Sequence, residues 1–259
     1  MIVSVLSLAG LFLAGVIAGA INSVAGGGTL ISFPSLIAYG VPTVMANATN
    51  TGVVWPGTLS SAIAYRDDLT RERGLLLTLL VPSCIGGLLG AAILVITPEE
   101  TFAHIVPFLV LFATILFALS DIFKRLVRSD SDGHTERINL LSGAWGFGFQ
   151  LFVATYGGYF GAGMGILMLA SLSLMGLRDV HRMNALKTLL GTMINGVALV
   201  FFIIKGLIVW RVAIMMAVGA TIGGYAGARL AKRVNQKRLR IFIVLVGLAV
   251  SAWLFVKTI

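Results

Sequence analysis

One lysine stands inside a mostly apolar stretch of this 259-residue chain: Lys187, in the run Asn184-Ala185-Leu186-Lys187-Thr188. It follows the Arg178-Asp179 loop by about nine residues, roughly 13 Å along a helix. A cation at that depth in hydrocarbon costs on the order of 2.5 kcal/mol or more unless it is paired or reaches water. A second polar run, Asn47-Ala48-Thr49-Asn50-Thr51, repeats the Asn, Ala and Thr of the first at the same spacing. Asn47 and Asn50, like Asn184 and Lys187, are three residues apart and share a helix face. Ahead of each run lies a glycine cluster: Gly26, Gly27 and Gly28, then Gly161, Gly163 and Gly165. Glycines let backbone N–H groups approach a ligand closely. Short helices starting near Thr29 and Ile166 would aim their partial positive ends at it. Amides, hydroxyls, backbone donors and one cation make no nucleophile–base pair. Their shared chemistry is to hold an anion, and Thr188 completes the expected substrate-binding set.

Each of these residues also has a plainer reading. Lys187 can snorkel to the surface on its long stem, and Asn47 and Asn184 can join helices by hydrogen bonds. Asn22 faces Tyr159 across the repeat described below and is the weaker candidate. The sets Gly86-Gly87-Gly90 and Gly223-Gly224-Gly227 fit close helix packing. Gln150 reads as an interhelical hydrogen-bonder. Arg66, His181 and Arg182 read as loop charges with an inner vestibule as the alternative, and His104 and His134 as residues without a specific role.

The missing residues narrow the chemistry. All ten Asp and Glu residues fall in loops or at segment ends, Asp121 lying closest to a membrane interior. No paired carboxylates, H-E-x-x-H or metal-ligand cluster lies within an apolar segment. Cys84 is the lone cysteine, so no intrachain disulfide or cysteine metal site can form. No enzyme, metal or cofactor is expected. The net charge of +9 fits basic cytoplasmic loops better than a nucleic-acid surface.

The elements that must position these residues are membrane helices. The chain is 58% hydrophobic and 11% charged, whereas soluble domains are nearer a quarter charged. Apolar stretches of about 20 residues recur, each long enough to cross the bilayer as a helix, and strand-type alternation is absent. Ile2 to Ile21 carries a signal-like Ala18-Gly19-Ala20 but no basic n-region and is read as a span. Sliding the chain by 137 residues lays "AGGGTL" (25–30) on "AGMGIL" (162–167) and "NATNT" (47–51) on "NALKT" (184–188). "IGGLLGA" (85–91) falls on "IGGYAGA" (222–228) without a gap. Internal repeats of this kind are a transporter signature. Each half divides into five segments, near 2–21, 30–40, 44–65, 75–96 and 103–123, then 138–156, 166–177, 182–204, 211–230 and 239–257. The second of each is too short to span alone and predicts a broken or re-entrant helix. The expected fold is an all-α integral membrane protein, about eight full spans plus two short segments. Residues 1–123 form one repeat, 124–137 a cytoplasmic linker and 138–259 the other. Basic residues Arg66, Arg71, Arg73, Lys124, Arg125, Arg128, Arg137, Arg178, Arg182, Lys232, Arg233, Lys237, Arg238 and Arg240 fit one threading with both termini outside. Lys205 and Arg211 on the outer side dissent. An odd number of crossings per half makes the repeat inverted.

"GAINSVAGGGTLISFPSLIAYGVP", "NATNT", "GGYFGAGMGI", "MNALKTLLGTMING", "GLIVW" and "GGYAGARLAKRV" resemble the TauE/SafE sulfite-exporter family over essentially the whole chain. That resemblance implies export of sulfite, or of an organosulfonate such as sulfoacetate, across the bacterial inner membrane. It makes the glycine breaks and polar runs the anion path, while the repeat leads us to expect alternating access, one half rocking against the other. An anion channel or an importer on the same scaffold is the alternative; an intramembrane enzyme or an assembly subunit is a reading from another class. The expected partners are a small anion and the lipid bilayer, not nucleic acid, with a homodimer left open. One departure is Ser171 where the first half has Pro34, so the breaks need not be equivalent in geometry.

Overall fold

The computed structural model describes residues 5–25, 27–64, 73–129, 141–177, 179–230 and 236–258. Among them are ten helices and no strand: α1 (Val5–Ala25), α2 (Thr29–Ala38), α3 (Thr43–Ala64), α4 (Arg73–Ile96), α5 (Glu99–Ser129), α6 (Leu141–Tyr159), α7 (Met164–Leu174), α8 (Val180–Ile204), α9 (Trp210–Leu230) and α10 (Gln236–Thr258). The short predicted segments are helices of 10 and 11 residues. Both stop for the same reason. Gly40 and Gly176 take left-handed φ values of 92° and 94°, which only glycine adopts cheaply. The next amides, Val41 and Leu177, then reach back to the carbonyls of Leu36 and Leu172, closing both helix ends.

Two boundaries differ from the sequence reading. α1 continues through Asn22 to Ala25 and α6 through Gly157 and Gly158 to Tyr159, so each opening is only a few residues wide. α5 starts at Glu99, whose carboxylate suits the positive helix end, and runs to Ser129, into the stretch read as linker. The remainder of that linker, Arg66, Arg71, His134, Arg137, Arg178, Lys232 and Arg233 lie outside the described residues.

Four helices contain stretches long and apolar enough to cross a membrane by length and composition: Gly74–Ile96, Glu99–Ser120, Arg182–Ile204 and Arg238–Lys257. Their outer faces carry exposed Leu77, Val81, Phe108, Val200, Leu245 and Val256. Water-facing surfaces rarely carry apolar area on this scale. The chain is a multi-pass membrane protein.

The helices pack in corresponding pairs. α1 lies on α9 as α6 lies on α4; α3 touches α9 as α8 touches α4; α2 touches α10 as α7 touches α5. Small residues make the tight pairs possible. A Cβ on Gly15 or Gly19 would strike the backbone carbonyls of Met216 or Ala220, and one on Gly223 that of Val16. On the other pair, Gly86 and Gly90 meet the carbonyls of Leu151 and Thr155, a packing role as expected. Gly224 has more room, 3.8 Å from the Gly19 carbonyl oxygen. Gln150 donates to Ser83 Oγ at 2.8 Å, joining α6 to α4. Where α3 crosses α8, Trp55 Nε1 donates to the Thr192 carbonyl at 3.1 Å. These two positions are themselves 137 apart. At one end of the bundle, Glu99 accepts hydrogen bonds from the Thr43 hydroxyl and amide and, at 3.1 Å, from the Val44 amide. It thereby caps α3 from the neighbouring helix α5.

Candidate functional site

The two glycine breaks meet on one helix. Gly27 packs against Phe117 of α5, while Gly163 packs against Ala113 and Leu116, one turn away on the same helix. Phe33 of α2 stands edge-on to Phe160 of the second break, ring centroids 5.4 Å apart. Asn47 of α3 crosses between the halves and donates from Nδ2 to the Tyr159 carbonyl at 2.8 Å. Gly26 lies outside the described residues.

Both breaks spend part of their backbone on themselves. Leu30 and Ser32 donate to the carbonyls of Gly27 and Gly28, and Met164 and Ile166 to those of Gly161 and Gly163. The amides of Leu30, Ile31, Ser32, Met164, Ile166 and Leu167 are therefore committed, so a ligand there would meet chiefly the helix dipole and the nearby side chains. The breaks differ in backbone shape. Gly28 is right-handed at φ −59°, whereas Gly161 and Gly163 are left-handed at 80° and 79°. Pro34 within α2 and Ser171 within α7 mark the same inequality in the sequence.

The polar runs also diverge. In the first, Asn47, Thr49 and Asn50 are all buried. Thr49 Oγ1 accepts the Val209 amide at 3.0 Å, tying α3 to the start of α9. Asn50 Oδ1 accepts the Ser32 hydroxyl, and so holds α2 to α3. In the second, Asn184, Lys187 and Thr188 are only half-buried. Lys187 Nζ donates to Asn184 Oδ1 at 2.9 Å, one turn back along α8, which places both on the expected shared face. Its stem crosses the α7 start, since a Cβ on Gly165 would lie 3.4 Å from Lys187 Cδ. Thr51 and Thr188 give their hydroxyl hydrogens to the carbonyls of Asn47 and Asn184, a local bond common in helices. They shape the helix and present oxygen lone pairs.

Sequence reasoning passed over four residues here. Ser32 orients Asn50, and Trp55 bridges α3 to α8. Tyr156 donates its hydroxyl to the Ala162 carbonyl at 2.6 Å, bracing the second break. Asn195 is buried, with Oδ1 3.9 Å from where a Cβ on Gly161 would sit. Its signal was available, because Asn195 continues the stripe Asn184, Thr188, Thr192 at helical spacing. Among the described residues no cluster of His, Cys, Asp and Glu could hold a metal ion.

A family model described as sulfite exporter TauE/SafE matches residues 11–254. The chain belongs to the TauE/SafE family. Its relatives cover nearly all of it. A probable membrane transporter protein of Sinorhizobium sp is 30% identical over 251 residues, 94% of this chain and 90% of that one. One from Haemophilus influenzae is 27% identical over 250 residues, 95% and 93% of the two chains. The Escherichia coli K12 probable membrane transporter protein YfcA is 29% identical over 256 residues, 96% and 90%. No solved structure matches the chain. This TauE/SafE chain is thus a membrane transporter whose two glycine breaks share one wall of α5.

Proposed function

We propose that this transporter exports a small sulfur-containing oxyanion, sulfite or an organosulfonate such as sulfoacetate, across the bacterial inner membrane without changing it chemically. The observation that carries this reading is Lys187: a half-buried cation on Asn184 whose stem lies over Gly165 at the start of a short helix. The lysine charge, the Asn184 and Asn195 amides and the α7 dipole would hold the anion. Gly27, Gly28, Gly161 and Gly163 would let the breaks close around it, and Thr51 and Thr188 would border the path. The family description supplies the sulfur oxyanion as substrate class.

The two five-helix halves are read as an inverted repeat that rocks about its central crossing to give alternating access. Support comes from the paired helix contacts and from the Trp55–Thr192 bond between equivalent positions, since a residue meets its own equivalent only near a two-fold axis. In this reading both termini would lie in the periplasm, with eight helices crossing fully and α2 and α7 partway. A homodimer is compatible with the apolar outer faces.

Lys187→Ala tests the reading. Expressed at normal level in proteoliposomes, it should lower sulfite flux at least about 100-fold, the scale of losing one desolvated ionic contact. Flux close to wild type removes Lys187 from the path.

A further inference from the structure

We propose that the site selects a monoanion bearing one O–H group, with Asn47 accepting that hydrogen. This rests on the anion site proposed above and refines it from a sulfur oxyanion to a particular protonation and functional class. Asn47 is 2% exposed. Its Nδ2 donates to the Tyr159 carbonyl, which can only accept, so the amide has one orientation. That fixes Oδ1 as an acceptor, and Oδ1 is fully buried with no hydrogen-bond partner. Tyr159 ends α6 directly before the Gly161–Gly163 break, so this acceptor stands beside the second break, whose short helix α7 begins under the Lys187 stem at Gly165.

A buried acceptor left bare costs about 1–3 kcal/mol. Beside a fully ionised oxyanion, itself made only of acceptors, the cost rises; beside an O–H it is relieved. Three hydroxyls of the polar runs and of α6 are already committed elsewhere. Thr51 is turned to the Asn47 carbonyl, Thr188 to the Asn184 carbonyl, and Tyr156 to the Ala162 carbonyl. Hydrogen sulfite and a hydroxyalkanesulfonate both present this chemistry, whereas sulfite dianion and fully ionised sulfoacetate do not, which sets sulfoacetate aside.

Calorimetric titration of the full chain in detergent separates these ligands. Sulfite is titrated between about pH 6 and pH 8. Hydroxymethanesulfonate is compared with ethanesulfonate, which has the same shape and charge but no O–H. If hydrogen sulfite is the ligand, the Kd for total sulfite weakens about tenfold per pH unit above the second ionisation of sulfurous acid, as linkage to one proton requires. If a hydroxyalkanesulfonate is bound, hydroxymethanesulfonate binds at least about tenfold more tightly than ethanesulfonate. Either result supports the proposal, and Asn47→Leu should erase the difference if the variant folds. Sulfite affinity constant across the pH range, together with equal affinity for the two sulfonates, overturns it while leaving a Lys187-dependent anion site in place. Failure of every one of these anions to bind the wild-type chain overturns the site as well.

Discussion

The two glycine breaks lie in matching stretches of sequence 137 residues apart and are built differently. The first is enclosed by Phe117, Ile243 and the α1 backbone at Ala18, and its asparagines and Thr49 bind to neighbouring helices inside the protein. The second has left-handed glycines, a half-buried lysine and a surrounding cluster that includes Met164, Met168, Met175 and Met183. Rings fix a geometry, and the edge-on Phe33–Phe160 pair does so here. Methionines adapt to irregular or changing shapes. On the function proposed above, the first copy would chiefly brace the fold and the second would carry the charge, with Asn47 of the first copy reaching across to the second break.

Exchanging equivalent residues strikes at this contrast hardest. Asn50 and Lys187 are 137 apart, so Asn50→Lys with Lys187→Asn moves the charge to the other copy. Position 50 is 3% exposed and faces the Ser32 hydroxyl, so an uncompensated lysine there should cost about 3–5 kcal/mol. The double variant is expected to melt earlier in detergent and to carry no sulfite. Retained flux would show the two copies to be interchangeable. Alanine at the breaks gives the next largest effects, for opposite reasons. A Cβ at Gly28 drives into the Ala18 carbonyl and Asn22, an overpacking cost of about 1–3 kcal/mol. At Gly163 the penalty comes from φ 79°, about 1–2 kcal/mol, and should appear in flux more than in melting temperature. Ser32→Ala sharpens the comparison most gently. It leaves Asn50 Oδ1 without its donor at a cost of about 1 kcal/mol, lowering the melting temperature while flux stays within about twofold. A large flux defect in Ser32→Ala would give the first break a direct part in transport.

Helix positions were legible because apolar length and glycine punctuation are local signals. The predicted segments 44–65 and 182–204 became α3 and α8 with ends shifted by one or two residues. The openings were harder to delimit. A run such as Asn22-Ser23-Val24-Ala25 reads as polar and weakly helical, yet it remains in α1 because Gly15 and Gly19 dock that helix on α9. The Lys187–Asn184 pairing followed from spacing three. The burial of Asn47 and Asn50 could not follow from spacing, because two runs of matching spacing give no sign of which neighbours will enclose them. Trp55 and Tyr156 escaped notice as ordinary aromatic residues, since their roles depend on carbonyls far along the chain or within a turn.

The cap that Glu99 places on α3 also breaks the equivalence of the two halves. The matching positions in the second half are Gln236 for Glu99 and Val180 for Thr43, a neutral amide and a side chain with nothing to donate. One helix start is thus buckled to its neighbour by a carboxylate clasp worth about 1 kcal/mol, and the matching residues of the second half lack the carboxylate and the hydroxyl that make it. Any motion that treated the twins alike would still be unevenly loaded, with the end of the protein bearing Glu99 the slower to come open.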